Sequence, residues 1–183
     1  EEVTSPVLSF KTAVTGDTPF AFVVIGDSQT HTEVSSRIFA RAWAERPDFA
    51  LHVGDTVGDG RRKELWATEF LGPAAPLMSR VPLYVAIGNH EGNAEWFYKY
   101  LAYPAPENYY SFDYGNAHVA AVDSNQKLGP GTPIHTWLDR DLGASKARWK
   151  FVIMHHPPYT SDNDDYGNTH TGQGDLTRGD LNV

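Results

Sequence analysis

A layered α/β domain is the fold class this sequence predicts, on three observations. Four runs have the continuous apolar character of strands buried on both faces: Phe20 to Gly26, Phe49 to Gly54, Leu83 to Gly88 and Phe151 to Met154. Helical patterns lie between them. Each run ends in a residue able to bind a metal, in order Asp27, Asp55, Asn89 and His155. In open α/β sheets ligands collect beyond the carboxyl ends of the strands, so four loops distant in sequence should deliver their polar tips to one rim of the sheet.

The elements follow in order. Thr30 and Glu33 have the spacing of a capping box, which predicts a helix through Val34, Ile38 and Trp43 that stops before Pro47. From Arg62 to Met78, helical spacing of Leu65, Trp66, Glu69 and Phe70 meets Gly72, Pro73 and Pro76, which predicts a short helix and then a loop. Asn93 is placed to cap a second short helix whose Trp96, Phe97, Tyr100 and Leu101 belong to the core. Tyr109 to Tyr114 and His118 to Asp123 flank Gly115-Asn116, a hairpin pattern. Thr132 followed by Pro133 starts a helix with Trp137, Leu138 and Leu142 on its buried side. Residues 161–183 are polar and predict a long loop or tail, and residues 1–18 a linker or a last strand of a preceding domain, leaving the core at 19–160.

Composition narrows the function. With 183 residues, 40% hydrophobic and 13% aromatic, the chain can bury one substantial core. A formal charge of −8 argues against a nucleic-acid partner, because phosphate-backbone affinity needs clustered Lys and Arg. No stretch reaches the roughly 20 apolar residues of a membrane span. Glu1 opens without a basic, apolar leader, as a processed chain would, and an extracytoplasmic or secreted location is expected. The absence of cysteine excludes a thiolate zinc site.

The motifs carry the chemistry. A strand-end aspartate alone is commonly a helix cap or turn former, but Gly26-Asp27 and Gly54-Asp55 repeat one grammar, glycine letting the backbone turn sharply before a carboxylate. In Gly88-Asn89-His90-Glu91, Asn89 offers a carbonyl oxygen, His90 an imidazole able to donate a proton, and Glu91 a carboxylate able to orient an imidazole. Of His155 and His156 at the end of a buried strand, His155 is favoured as ligand and His156 as its support. Carboxylates, an amide and an imidazole together suit Fe, Mn or Zn better than Ca. His52 reads as a hydrogen-bonded core histidine, His118 is ambiguous, and His31, His135 and His170 read as solvated.

The order Gly-Asp, Gly-Asp, Gly-Asn-His-Glu and Val152-x-x-His155 resembles the calcineurin-like metallophosphoesterases, and within them the purple acid phosphatase-like branch. Over residues 20–160 the resemblance implies a β-sheet core flanked by helices in an αββα sandwich. It also implies two divalent or trivalent metal ions. Asp27 would bind the first, Asp55 would bridge both, Asn89 and His155 would bind the second, and His90 would contact the phosphoryl group of a small phosphorylated substrate. Two cations roughly 3.5 to 4 Å apart can share a hydroxide and stabilise an in-line phosphoryl transition state. A carboxylate such as Glu91 or Asp123 would keep His90 charged. Pro6 to Ala13 resembles the last strand of the fibronectin type III-like domain that precedes such cores.

Three features depart from the family pattern. Gly58 stands where the purple branch has a tyrosine, so no purple colour is expected. Gln29 stands where many members have a histidine, offering only a weaker amide oxygen. The Gly-His-x-His motif that would follow His155 is absent, which implies an incomplete sandwich, one ligand fewer per metal, and a second chain or a homodimer covering the missing half. Two functions stay open: a dinuclear phosphomonoesterase of the acid phosphatase kind, or a non-catalytic metal-binding or interaction domain that keeps the motifs as scaffold.

Overall fold

The computed structural model describes residue 4 and residues 8–158. Its elements are β1 (Phe22–Ile25), α1 (Thr32–Ala44), β2 (Phe49–His52), α2 (Lys63–Leu65), a π-helical segment (Trp66–Leu71), α3 (Gly72–Met78), β3 (Leu83–Val85), α4 (Glu95–Tyr100), β4 (Tyr110–Tyr114), β5 (Ala117–Ala121), α5 (Pro133–Ala144) and β6 (Trp149–Ile153). The expected polar segment at 161–183, with His170, lies outside the described residues.

The strands form two sheets rather than one. Parallel β1-β2-β3 make the first, and β4-β5-β6 the second, with β4 antiparallel and β6 parallel to β5. The four strands that precede the candidate ligands are therefore split, three in one sheet and β6 in the other. This corrects the expectation of a single rim, and the reason lies in strand alternation. Phe49 and Leu51 point from the first sheet into a shared core with Tyr110, Tyr114, Val119 and Ile153 of the second, while neighbouring Ala50 points to a helix-side core with Phe39, Trp66 and Phe70. Ala120 turns the other way, toward Ile134 and Leu138 of α5. Helices, sheet, sheet, helix make the four layers. Phe49 anchors the middle, fully buried, stacked on Phe22 at 5.1 Å and edge-on to Phe112 at 5.8 Å.

Register brings the strand ends level. Ile25, His52 and Val85 stand opposite one another, as do Ala121 and Ile153, so Asp27, Asp55 and Asn89 follow one row and Asp123 and His155 the other.

Local expectations met tertiary constraints in three places. Helix α1 starts at Thr32 with His31 as its N-cap and no side-chain cap, because Thr30 takes a left-handed φ of 65° and the capping box does not form. Its buried face is Ser35, Phe39 and Ala42, whereas Val34 and Ile38 are exposed. Ser35 can be buried because its hydroxyl donates to the His31 carbonyl at 3.1 Å. From Lys63 to Met78 the chain stays helical through Gly72, Pro73 and Pro76, with no loop. A widened π segment lies just before the first proline: Gly72 N–H bonds Ala67, five residues back. Asn93 caps nothing; Ala94 precedes α4, and Asn93 Oδ1 instead accepts from the Tyr98 hydroxyl.

Elsewhere pattern and structure agree. The hairpin turns at Gly115-Asn116, with Gly115 at φ 56°, and Thr132 caps α5 by accepting from His135 N–H at 3.3 Å. Leu8 to Val14 form no strand, and Leu8 and Phe10 are exposed.

Away from the strand ends, His118 of β5 ties two elements together, its Nδ1 2.7 Å from Asp113 of β4 and its Nε2 2.7 Å from Asp141 of α5. Burial alone would lower its pKa, but the two carboxylates outweigh burial and raise it above the ordinary 6.5. A raised folded-state pKa gives stability that is complete below the ordinary value and lost as pH rises through the folded one. Asp113 is largely exposed, so most of the effect belongs to Asp141. We expect the melting temperature of the wild type to exceed that of His118→Gln by about 2–4 °C near pH 6. The gap should narrow by about pH 9, and a constant gap in thermal melts across that range would show that the pair carries no charge-dependent stability.

Candidate metal centre

The site is assembled from backbone before any side chain reaches it. The loop after β1 lies on the loop after β2 through three backbone bonds: Asp27 N–H to Gly54 at 3.1 Å, Ser28 N–H to Asp55 at 3.0 Å and Gln29 N–H to Asp55 at 3.2 Å. Asp27 and Asp55 both take left-handed φ values, 51° and 57°, which aspartate tolerates better than most residues. Those conformations turn both carboxylates out of the strand direction. Gly54, at φ 95°, has no room for a side chain, because a Cβ would meet Gly88 at 2.8 Å and His155 Cβ at 3.0 Å. A Cβ on Gly88 would overlap the Asp55 carboxylate. The two glycines are what let the β2, β3 and β6 loops touch.

Glu91 locks this contact. Fully buried, its Oε2 accepts from Asp55 N–H at 3.0 Å and Gly88 N–H at 2.6 Å, and its Oε1 accepts from Thr56 N–H at 2.6 Å and the Thr56 hydroxyl at 2.8 Å. Burial raises its pKa and these donors oppose the rise. Glu91 thus clamps the β2 and β3 loops and does not orient the His90 imidazole.

One oxygen or nitrogen each from Asp27, Asp55 and His155 lies within 4.8 Å of the others, close enough for the three to hold a metal ion together. Asn89 joins through its Oδ1, 2.9 Å from His155 Nε2, and His155 Nε2 is 3.3 Å from Asp55 Oδ2. His155 Nδ1 donates to the Val53 carbonyl at 3.0 Å, which leaves Nε2 to face the cluster. Burial opposes charge on both His155 and Asp55. Their hydrogen bond and mutual attraction outweigh it, raising the His155 pKa and, with the His90 N–H, lowering that of Asp55. Asp27 sits at the open rim, its pKa raised by the partial burial of its carboxyl, a rise that attraction to His155 opposes and the nearby Asp55 charge reinforces.

The remaining candidates take different places. His90 donates its backbone N–H to Asp55 Oδ1 at 2.9 Å, and its Nδ1 bonds the Gly58 carbonyl at 2.8 Å, leaving Nε2 3.7 Å from Asp55 Oδ2. Gln29 turns its Nε2 to Asp55 Oδ2 at 3.3 Å, and its buried Oε1 has no protein partner among the described residues. Asp123 is buried under donors from Asn108, Asn125 and Gln126 and does not reach His90. His156 Nδ1 pairs with the Ser124 hydroxyl at 2.9 Å, and burial followed by the charge of His155 lowers its pKa. His52 is a core residue, bonded to Ser28 at 2.9 Å, its pKa pushed down to about 3 by burial. A cleft lined by Gly58, Asp59, Arg61, Asn89, His90 and Gly92 opens beside the cluster.

Several contributors were missed in the sequence. Glu69 and Trp66, from the π-helical segment, hold the loop His90 leans on, through Gly58 N–H at 2.7 Å and the Gly60 carbonyl at 2.9 Å. Nothing local marks them. Ser124 and Asn125 were also missed, although they follow an apolar strand as the ligands do.

Glu91→Gln should cost about 2–3 kcal/mol in urea unfolding, since one amide –NH2 must face N–H donors and a charged acceptor is lost. A cost under about 0.5 kcal/mol would mean that the clamp contributes little.

A profile described as calcineurin-like phosphoesterase matches residues 20–182. Purple acid phosphatase 22 of Arabidopsis thaliana is 27% identical over 191 residues, covering 94% of this chain and 42% of that protein. A probable inactive purple acid phosphatase 9 from the same plant is 24% identical, over 79% of this chain and 28% of its own length. The chain thus spans less than half the length of these relatives. The structure of a purple acid phosphatase from yellow lupin (Lupinus luteus) seeds shares the fold, with a TM-score of 0.70 at 18% identity, over 83% of this chain and 33% of that one. With its motifs, its four layers and its relatives in accord, the chain belongs to the calcineurin-like phosphoesterase family, on its purple acid phosphatase-like branch.

Proposed function

We propose that this chain carries the dinuclear metal centre of a phosphomonoesterase acting on small phosphorylated substrates. The observation that supports it most is the convergence of Asp27, Asp55 and His155 within 4.8 Å, with Asn89 on His155 and a cleft alongside. The donor set of carboxylates, amide oxygen and imidazole fits Fe, Mn or Zn. Asp27 would hold one ion, Asn89 and His155 the other, and Asp55 both. Bound ions would supply Lewis-acid stabilisation of the phosphoryl charge and a lowered pKa for the attacking water.

The chain's own residues do the rest. His155 is fixed by Val53, so its Nε2 is oriented before a ligand arrives. His90, held through Nδ1 by Gly58, keeps Nε2 for the proton that the departing oxygen takes. An extracytoplasmic location and coverage of the outer strands by a second chain or second copy belong to the same proposal. Val24 of β1 and Trp149 of β6 are 56% and 54% exposed, which supports such coverage, and no described helix is long and apolar enough to cross a membrane.

The second reading, a non-catalytic metal-binding or interaction domain, is favoured by Gln29, whose amide N–H occupies Asp55 Oδ2 where an imidazole ligand would be expected.

Metal analysis after dialysis separates the two. About two equivalents per chain, with aryl phosphate hydrolysis lost in Asp55→Ala, fits the phosphatase. One or no equivalent without turnover fits the second reading. His90→Ala should keep its metal while kcat falls about 10²- to 10⁴-fold. A His90→Ala protein with undiminished kcat would remove His90 from the chemistry.

A further inference from the structure

Beyond the C-terminal end of β5, the turn Asp123-Ser124-Asn125 touches both loops that carry the proposed second-metal ligands. Asn125 Nδ2 donates to the Gly88 carbonyl at 3.2 Å, the peptide that leads directly into Asn89, and lies 3.4 Å from the Ile87 carbonyl. Ser124 Oγ accepts the His156 N–H at 3.0 Å, which fixes the peptide immediately after His155. The same hydroxyl meets His156 Nδ1 at 2.9 Å and holds that ring to one side. Asp123 secures the turn itself: it is buried and takes Asn125 N–H at 3.0 Å, Asn125 Nδ2 at 2.9 Å, Gln126 Nε2 at 2.7 Å and Asn108 Nδ2 at 3.1 Å.

The placement matters because Asn89 and His155 come from different sheets. Asn89 follows β3 of the first sheet and His155 follows β6 of the second, and no strand pairing joins β3 to β6. Apolar packing between the sheets is non-directional and can slide by fractions of an ångström. Hydrogen bonds to both peptides from one short turn cannot. We infer that Asn125 and Ser124 are positioning residues that set the separation of Asn89 and His155, and so govern affinity for the ion those two side chains hold. The inference rests on the metal-centre reading above.

The test is calorimetric titration of the metal-free chain with Zn²⁺ or Mn²⁺, alongside circular dichroism to establish folding. Asn125→Asp keeps the shape and removes the amide donor, and Ser124→Ala removes the hydroxyl. Each should weaken one of the two binding events about 10- to 100-fold and leave the other within about twofold. Ser124→Thr, which restores the hydroxyl, should recover most of the affinity. Thr132→Ala, at the cap of α5 away from the site, should lower thermal stability comparably without changing either event. Wild-type binding with unchanged affinities in folded Asn125→Asp and Ser124→Ala would overturn the inference. So would equal weakening in Thr132→Ala, because general loosening would then explain the effect. If Asn125→Asp does not fold, the Ser124→Ala and Ser124→Thr pair decides alone. A wild-type chain that binds no ion would overturn the metal-centre reading itself, a distinguishable failure.

Discussion

The buried carboxylate of Glu91 is the constraint on which the rest of the site depends. A charged group without solvent is costly unless donors surround it, and here the donors are backbone N–H groups of Asp55, Thr56 and Gly88, with the Thr56 hydroxyl. Because those groups belong to two different loops, satisfying Glu91 forces the loops together. Asp55 and the segment leading to Asn89 are then held at a fixed spacing whether or not an ion is present. The local cost is visible in the backbone: Asp27 and Asp55 keep left-handed conformations, and Gly54 and Gly88 give up their side chains for close approach.

A second constraint comes from the stacking of two sheets. Phe49, Phe22, Phe112 and Tyr114 fill the space between them with aromatic rings, which sets the distance between the layers but does little to fix their lateral position. Directional contacts between strand ends supply that position. The β6 loop reaches the first sheet through His155 to Val53, and the β5 turn reaches it through Asn125 to Gly88. The π-helical segment does similar work from the helix layer, where Glu69 and Trp66 hold the loop against which His90 leans.

Much of the fold was legible in the residues. Unbroken apolar runs identified β1, β2, β3 and β6, Gly115-Asn116 marked the hairpin, and Thr132-Pro133 marked α5, because each of these is a short-range signal. Pattern and structure part where a distant contact overrides a local preference. In α1, Ser35 and Phe39 meet the core that Phe70 and His52 complete, and Val34 and Ile38 are left exposed although both are apolar. Gly72, Pro73 and Pro76 suggest a break, yet Phe70, Ala74 and Leu77 pack into the core and the helix continues, with a widened turn ahead of the prolines. Glu91 follows His90 in the sequence, yet three of the four donors it satisfies lie more than thirty positions away, at Asp55 and Thr56.

The sequence by itself determined which groups could bind a metal and that they would stand at strand ends, since hydrophobic runs and the residues closing them are properties of neighbours along the chain. Tertiary structure alone decided that these strands divide between two sheets, that Asn89 and His155 meet across them, and that Ser124 and Asn125 join the site. Those outcomes depend on which backbone N–H and carbonyl groups are left unpaired at the loop ends. That accounting closes only when the layers are stacked.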